Sequence, residues 1–320
     1  MGDKVIFGGI EMANPLIASS SPLTETVRKV HCCREATFGG VILKTAADYL
    51  RTGKGYGRKV VFIGEDYYAD ASYEREILTL EEGMALFRGA LSVAGDMAVI
   101  PSVSANSMET EDWVFICRRF EDLGARLIQL DFFYLGTGIV PEDEGFYKRL
   151  GEFLATLQSR LHCIVMPKLN FNFDPKKTCK ALAEYGIRQV SLLDSIRFAL
   201  PARFGLHRDT TSYFGRKQLP LTRMYLQHAV EAGLEICAGG GVSGPEDVEL
   251  LLENGAKLVQ TASYVLKNGF GSAPALLRGE PASQGRLTWC EAEGYGGKGC
   301  EFCGFCRETG PTILLMRSET

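Results

Sequence analysis

No stretch of this sequence approaches the ~18 uninterrupted apolar residues that a membrane-spanning helix needs, which excludes a helical membrane protein. Met1-Gly2-Asp3-Lys4 passes straight into strand-like Val5-Ile6-Phe7. No signal peptide is read there, and a cytoplasmic protein is expected. Excess charge of either sign is also missing: 35 Lys and Arg face 39 Asp and Glu, for a net charge of -4. That balance builds no field to gather nucleic acid or an anionic membrane, so small-molecule work is the default. Nor does a G-x-G-x-x-G follow the first apolar strand, which counts against a doubly wound open sheet.

What is present is a large core and a strong βα rhythm. With 320 residues, 46% of them hydrophobic, the chain exceeds the about 250 residues typical of one α/β barrel. One barrel over residues 1–280 and a short cysteine-rich extension over 281–320 fit that length. The plainest unit runs from Glu235 to Ser263. An apolar strand ends in Gly239-Gly240-Gly241, and Ser243 and Pro245 open a helix with acids in its first turn. Asn254-Gly255 stops that helix before a second strand, Leu258 to Thr261, which ends in small residues. Consecutive glycines let main-chain N–H groups approach an anion, and in a (β/α)8 barrel the loops after strands seven and eight form the usual phosphate site. Tight packing alone also produces glycine-rich turns of this kind.

Six earlier strands repeat the pattern: Leu16 to Ser19, Val41 to Leu43, Ala98 to Ser104, Leu127 to Asp131, Cys163 to Leu169 and Val190 to Ser195. Eight strands, most with polar residues at their exits, predict a (β/α)8 TIM barrel. Lys44 and Lys168 stand at two of those exits, where an ammonium needs an anion or an electron-rich acceptor. A lysine snorkelling to the barrel rim is the plainer alternative. Two irregular insertions interrupt the rhythm, Ala46 to Ser72 and Arg197 to Pro220. Loops this long cover a barrel mouth and select substrate, or form an oligomer contact.

Ten cysteines divide into six scattered ones, read as small buried hydrophobes, and a terminal group at Cys290, Cys300, Cys303 and Cys306. Two successive C-x2-C steps wrap three thiolates around one centre, as in bacterial ferredoxins, although Gly310 stands where the fourth cysteine of that pattern falls. Cys290 is the candidate replacement. A [4Fe-4S] cluster is the expectation, with a four-thiolate zinc site as the alternative.

Several of these segments together resemble the FMN barrel of class 1 dihydroorotate dehydrogenases, and still more the flavin domain of dihydropyrimidine dehydrogenases. The matching residues are Asn14-Pro15, Ala18-Ser19 before Pro22, Leu43-Lys44-Thr45, Asn106 followed by Asp112-Trp113, Lys168-Leu169, Gly239-Gly240-Gly241 and Gln260 through Ser263. The cysteine tail is similar to the ferredoxin segment that follows the barrel in the second family. The resemblance implies an FMN oxidoreductase exchanging a hydride between flavin N5 and a small, heterocyclic substrate, with electrons passing through the cluster to a ferredoxin or reductase partner. It implies that Ala18 and Ser19 contact the flavin ring, that Lys44 and Thr45 approach ring and ribityl, and that Lys168 hydrogen-bonds the flavin. Gly240, Gly241, Ala262 and Ser263 would bind the phosphate, with Asn106, Asp131 and Asp194 completing the cofactor site. A homo-oligomer is expected.

Two departures bear on the substrate. Where the family has Asn-Leu-Ser-Cys-Pro at the exit of strand four, this chain has Asp131-Phe132-Phe133-Tyr134-Leu135, and a family asparagine at strand six is matched by Asp194. Ionised aspartates accept hydrogen bonds and donate none, which turns preference toward substrates presenting N–H or cationic groups. Tyr134 takes the place of the proton-transferring cysteine; with an ordinary pKa near 10 it is a better acid than base, which favours substrate reduction. Asp131, Lys168 and Tyr134 are therefore the candidate catalytic set. Loss of that cysteine also leaves open a non-catalytic flavin or zinc barrel that binds a partner, and a Schiff-base lyase using Lys44 or Lys168.

Overall fold

The structure is a computed structural model that describes residues 4–48, 58–63, 66–70, 77–105, 107–132, 145–197, 211–279 and 313–317. The chain opens with the hairpin β1 (Val5–Phe7) and β2 (Ile10–Met12), followed by β3 (Leu16–Ala18), α1 (Val27–Glu35), β4 (Gly40–Ile42) and β5 (Ala46–Ala47). Next come β6 (Arg58–Ile63), β7 (Asp66–Asp70), β8 (Leu78–Thr79), α2 (Leu80–Val93), β9 (Ala98–Ile100) and β10 (Ser102–Ser104). The middle holds α3 (Thr110–Glu121), β11 (Leu127–Asp131), α4 (Phe146–Ser159), β12 (Ile164–Lys168), α5 (Pro175–Glu184) and β13 (Gln189–Ser191). After β14 (Ile196–Arg197) and β15 (Thr211–Phe214) come α6 (Leu219–Glu231), β16 (Glu235–Gly239), α7 (Pro245–Glu253), β17 (Leu258–Thr261), α8 (Ser263–Asn268), α9 (Ala273–Arg278) and β18 (Ile313–Arg317).

This is an α/β protein built on an 11-stranded sheet in the order β8-β5-β10-β11-β12-β13-β16-β17-β3-β4-β9. Every pairing in it is parallel, as expected when helices separate consecutive strands. The sheet curls. Pro101 splits the third predicted strand into β9 and β10: one half pairs with β4 and the other with β11. The Leu43 amide donates to the Ile100 carbonyl and the Gln129 amide to the Pro101 carbonyl, so this single stretch is bonded on both sides. The arrangement is compatible with a (β/α)8 barrel.

Side-chain alternation along β11 explains the two cores. Ile128 and Leu130 join the large cluster beneath the helices, whereas Leu127 points to the opposite face. There it meets Ile17, Ile42, Ile100, Met166, Cys237 and Leu258, closed from below by Phe7 and Met12 of the hairpin. The five scattered cysteines Cys33, Cys117, Cys163, Cys179 and Cys237 are buried free thiols and Cys32 is half-buried, in keeping with a packing role. Burial pushes the Cys163 and Cys179 thiols up to about 12, which keeps them neutral.

Two local expectations differ from what is observed. Pro245 does begin α7 with Glu246 and Asp247 in the first turn, but Gly244, not Ser243, is the N-cap; the Ser243 hydroxyl donates to Asp247 at 2.7 Å instead. The first insertion, which shows no clean period in sequence, contains β6 and β7. These pair with each other and with β15 of the second insertion in a five-stranded sheet, order β14-β15-β7-β6-β18, so the two interruptions form one structure. β18, in the C-terminal extension after its last cysteine, pairs parallel with β6.

Candidate active site at the strand exits

Two residues further along most of these strands, the inward face changes from apolar to polar. Ile17 is followed by Ser19, Ile100 by Ser102, Leu127 by Gln129 and Asp131, Met166 by Lys168, and Leu258 by Gln260. Because a period of two keeps these residues on one face, the interior has a dry floor and a polar rim at the C-terminal ends of the parallel strands. Lys44 stands two residues beyond Ile42 and is likewise buried.

Lys168 is the electrostatic centre of that rim. Its Nζ lies 2.9 Å from Asp194 Oδ2 and 3.8 Å from Asp131 Oδ2. β11 and β12 place Asp131 and Lys168 side by side as register partners. The turn after β13, held by the Asp194 amide donating to the Leu169 carbonyl, brings the second carboxylate across. Burial works against the ammonium, but attraction to Asp194 and then Asp131, with the hydrogen bond to Asp194, outweighs it and holds the pKa above the ordinary 10.5. A pKa raised by folding stabilises the fold fully below the unfolded value and loses that contribution as pH rises through the folded one. The difference in urea midpoint between wild type and Lys168→Met should therefore hold constant from about pH 7 to 9 and close above about pH 10.5. A difference already shrinking in the neutral range would contradict this charge state.

Neutral groups tie the rim together. Thr45 donates to Asp131 Oδ2 at 2.8 Å and lies 3.0 Å from the Ser102 hydroxyl and 3.1 Å from that of Ser20. Gln260 crosses the interior: its Oε1 accepts from Ser19 Oγ at 2.9 Å, and its Nε2 donates to Ser191 Oγ at 2.9 Å and to the Leu192 carbonyl at 2.5 Å. That crossing is why strand seven ends in glycine. A Cβ on Gly239 would lie 2.4 Å from Gln260 Cγ.

Gly240 and Gly241 turn away with φ of +94° and +95°, backbone that L side chains rarely adopt. Thr222 fixes the turn with one hydroxyl proton shared between the Gly239 and Gly240 carbonyls, 3.0 and 2.7 Å away. Gln218 Nε2 donates to the Asp194 carbonyl at 2.5 Å, and a Cβ on Gly240 would come within 2.7 Å of it. One buried amide thus bridges the main chain of Asp194, whose carboxylate pairs with Lys168, and the glycine turn. The Gly240 and Gly241 amides donate no hydrogen bond among the described residues, which leaves two main-chain donors at the rim.

The structure therefore brings Ser19, Lys44, Thr45, Asp131, Lys168, Asp194, Gly240 and Gly241 to one edge of the sheet. Ala18 ends β3 in register with Thr261, and Ala262 and Ser263 follow β17 at the same edge. Asn106, Tyr134, Cys290, Cys300, Cys303 and Cys306 lie outside the described residues. Two other matching features have structural duties. Asn14 accepts from the Leu16 amide at 2.9 Å and donates to the Thr37 carbonyl at 2.8 Å, while Trp113 donates to the Ser107 carbonyl at 2.8 Å. Gln218 and Thr222 escaped the sequence reading. A signal was present in that three glycines in a row require close neighbours, but not which ones. No family model and no curated protein matches this chain.

Proposed function

We propose that this chain is an FMN-dependent oxidoreductase of the dihydroorotate and dihydropyrimidine dehydrogenase type, on a closed (β/α)8 barrel. The observation that carries the reading is the pairing, on one sheet edge, of a buried ammonium with main-chain amides that have no acceptor among the described residues. The donor set fits FMN. Gly240 and Gly241 supply N–H groups for a phosphate, Ala18, Ser19 and Ala262 are small enough for a flat ring to lie near the backbone, and Lys168 supplies fixed positive charge. When bound, FMN supplies hydride exchange at N5 with a small, heterocyclic substrate.

The chain's own residues divide the remaining work. Lys168 offsets negative charge developing near the rim, and Asp194 and Asp131 keep it protonated. The apolar floor shuts water out from below. Tyr134, from the exit of strand four, donates the proton that accompanies hydride addition. Cys290, Cys300, Cys303 and Cys306 would hold a [4Fe-4S] cluster through thiolates, with zinc as the alternative metal, and a ferredoxin or reductase would exchange electrons there. A lysine stabilised as the ammonium is poorly suited to Schiff-base formation, which sets Lys168 apart from lyase chemistry.

Anaerobically purified protein should carry extractable FMN together with iron and sulfide. Tyr134→Phe should retain the flavin and slow turnover by about 10²-fold or more. A colourless protein that cannot be reconstituted with FMN would overturn the assignment, and an unchanged rate would reduce Tyr134 to a wall of the pocket.

A further inference from the structure

The hydroxyls beside Asp131 have a direction that follows from counting protons. An ionised carboxylate only accepts, so the 2.8 Å contact from Thr45 Oγ1 to Asp131 Oδ2 uses the one proton Thr45 has. Its contacts to Ser102 and Ser20, at 3.0 and 3.1 Å, must then be donated toward Thr45, filling both lone pairs of that oxygen. Ser102, having spent its own proton, can only accept from Gln129, and it is Gln129 Nε2 that stands 2.9 Å away. The opposite amide orientation would require Ser102 to donate twice. The orientation present leaves Gln129 Oε1 buried without a partner among the described residues, a penalty of the kind that native interiors usually avoid.

We propose that Gln129, Ser102 and Thr45 form a one-way donor chain ending on Asp131, with Thr45 as the positioning residue that holds this carboxylate ionised and oriented. Every member is buried: Thr45 is 1% exposed, Ser102 1%, Gln129 0% and Asp131 1%. The chain spans three exits, since Thr45 follows β4, Ser102 begins β10, and Gln129 and Asp131 lie two residues apart on β11. Its consequence for the cofactor is specific. The Thr45 hydroxyl is fully used inside the protein and is not a ribityl ligand, which leaves only its main chain to meet a bound group. The inference takes Asp131 to belong to the reacting site, as the proposed function does, but it needs neither flavin nor turnover to be tested.

The test follows the Asp131 carboxyl carbon by NMR in protein labelled with ¹³C-aspartate, assigned by its loss in Asp131→Asn. The charged groups of this rim, Lys168 from β12, Asp194 from the turn after β13 and Lys44 beside Thr45, are the same in every variant compared. Thr45→Val removes the donated proton at nearly constant volume and should raise the Asp131 midpoint by about one pH unit or more. Ser102→Ala leaves that proton in place but frees Thr45 to turn, so a smaller rise is expected. Thr45→Ser restores the hydroxyl and should titrate like wild type, to within about 0.3 units. Equal midpoints in Thr45→Val and wild type, or a Thr45→Ser midpoint shifted as far as that of Thr45→Val, would overturn the chain. If Thr45→Val does not fold, the decision passes to Ser102→Ala, where an unmoved midpoint would overturn it. Failure here leaves FMN binding untouched, and absence of FMN binding leaves this titration result standing.

Discussion

Replacing Lys168 by methionine is expected to destabilise the protein by about 3–5 kcal/mol, the cost of removing one partner from a buried ionic cluster. The magnitude follows from what remains. Asp194 and Asp131 would stay at the same rim without the ammonium that now lies 2.9 and 3.8 Å from them. Carboxylates placed this way take up protons, so the variant should also become more stable as pH falls toward about 5, opposite to a protein that simply loses a surface pair. Adding Asp194→Asn to Lys168→Met should recover part of the loss. Denaturant midpoints for the two single variants and the double variant give the coupling directly. A loss below about 1 kcal/mol would mean that the ammonium and its carboxylates are solvated like an ordinary surface pair.

The second large effect belongs to Gly241. A Cβ there would lie 2.4 Å from the main-chain nitrogen of Leu219, at the first residue of α6, and the backbone has a φ of +95°. Main chain cannot swing aside as the end of a side chain can, so Gly241→Ala must displace either the turn or the start of the helix. A cost of about 2–4 kcal/mol is expected, compared with about 1 kcal/mol for Gly9→Ala. Gly9 is the matched control because its φ is also positive, +70°, while a Cβ there would meet nothing within 4 Å. Urea unfolding of both variants separates strain from collision. Equal losses would mean that the glycine turn yields easily and does not hold a fixed anion site.

The strands and their exits were legible because burial in a curled parallel sheet imposes local signatures: short apolar runs, stops at fixed spacing, and polar residues at one end. Lys168 could be placed at an exit for that reason, and Asp131 beside it. That Asp194 reaches the same ammonium depends on a turn closed by the Leu169 carbonyl, and no local pattern encodes that closure. The sequence reading gave the two aspartates to a substrate as free acceptors. In the structure Asp194 Oδ2 pairs with Lys168 and Asp194 Oδ1 accepts from the Ser195 amide, partners that no local pattern names. The β7–β15 pairing was missed because it joins the two insertions across more than a hundred residues and leaves no period within either segment, whereas β6 pairs with β7 inside the first insertion, where no alternation of apolar and polar residues marks the strands. Gln218 was hidden for a related reason: one glutamine before a helix carries no signal until the glycine turn is seen against it.

The central claim is that the strand-exit rim binds FMN, and titrating flavin-free protein with FMN while following the quenching of flavin fluorescence tests it most directly. One FMN per chain is expected, with affinity reduced by about 100-fold or more in a folded Gly241→Ala protein. No saturable binding, or binding equally tight in both proteins, would contradict it.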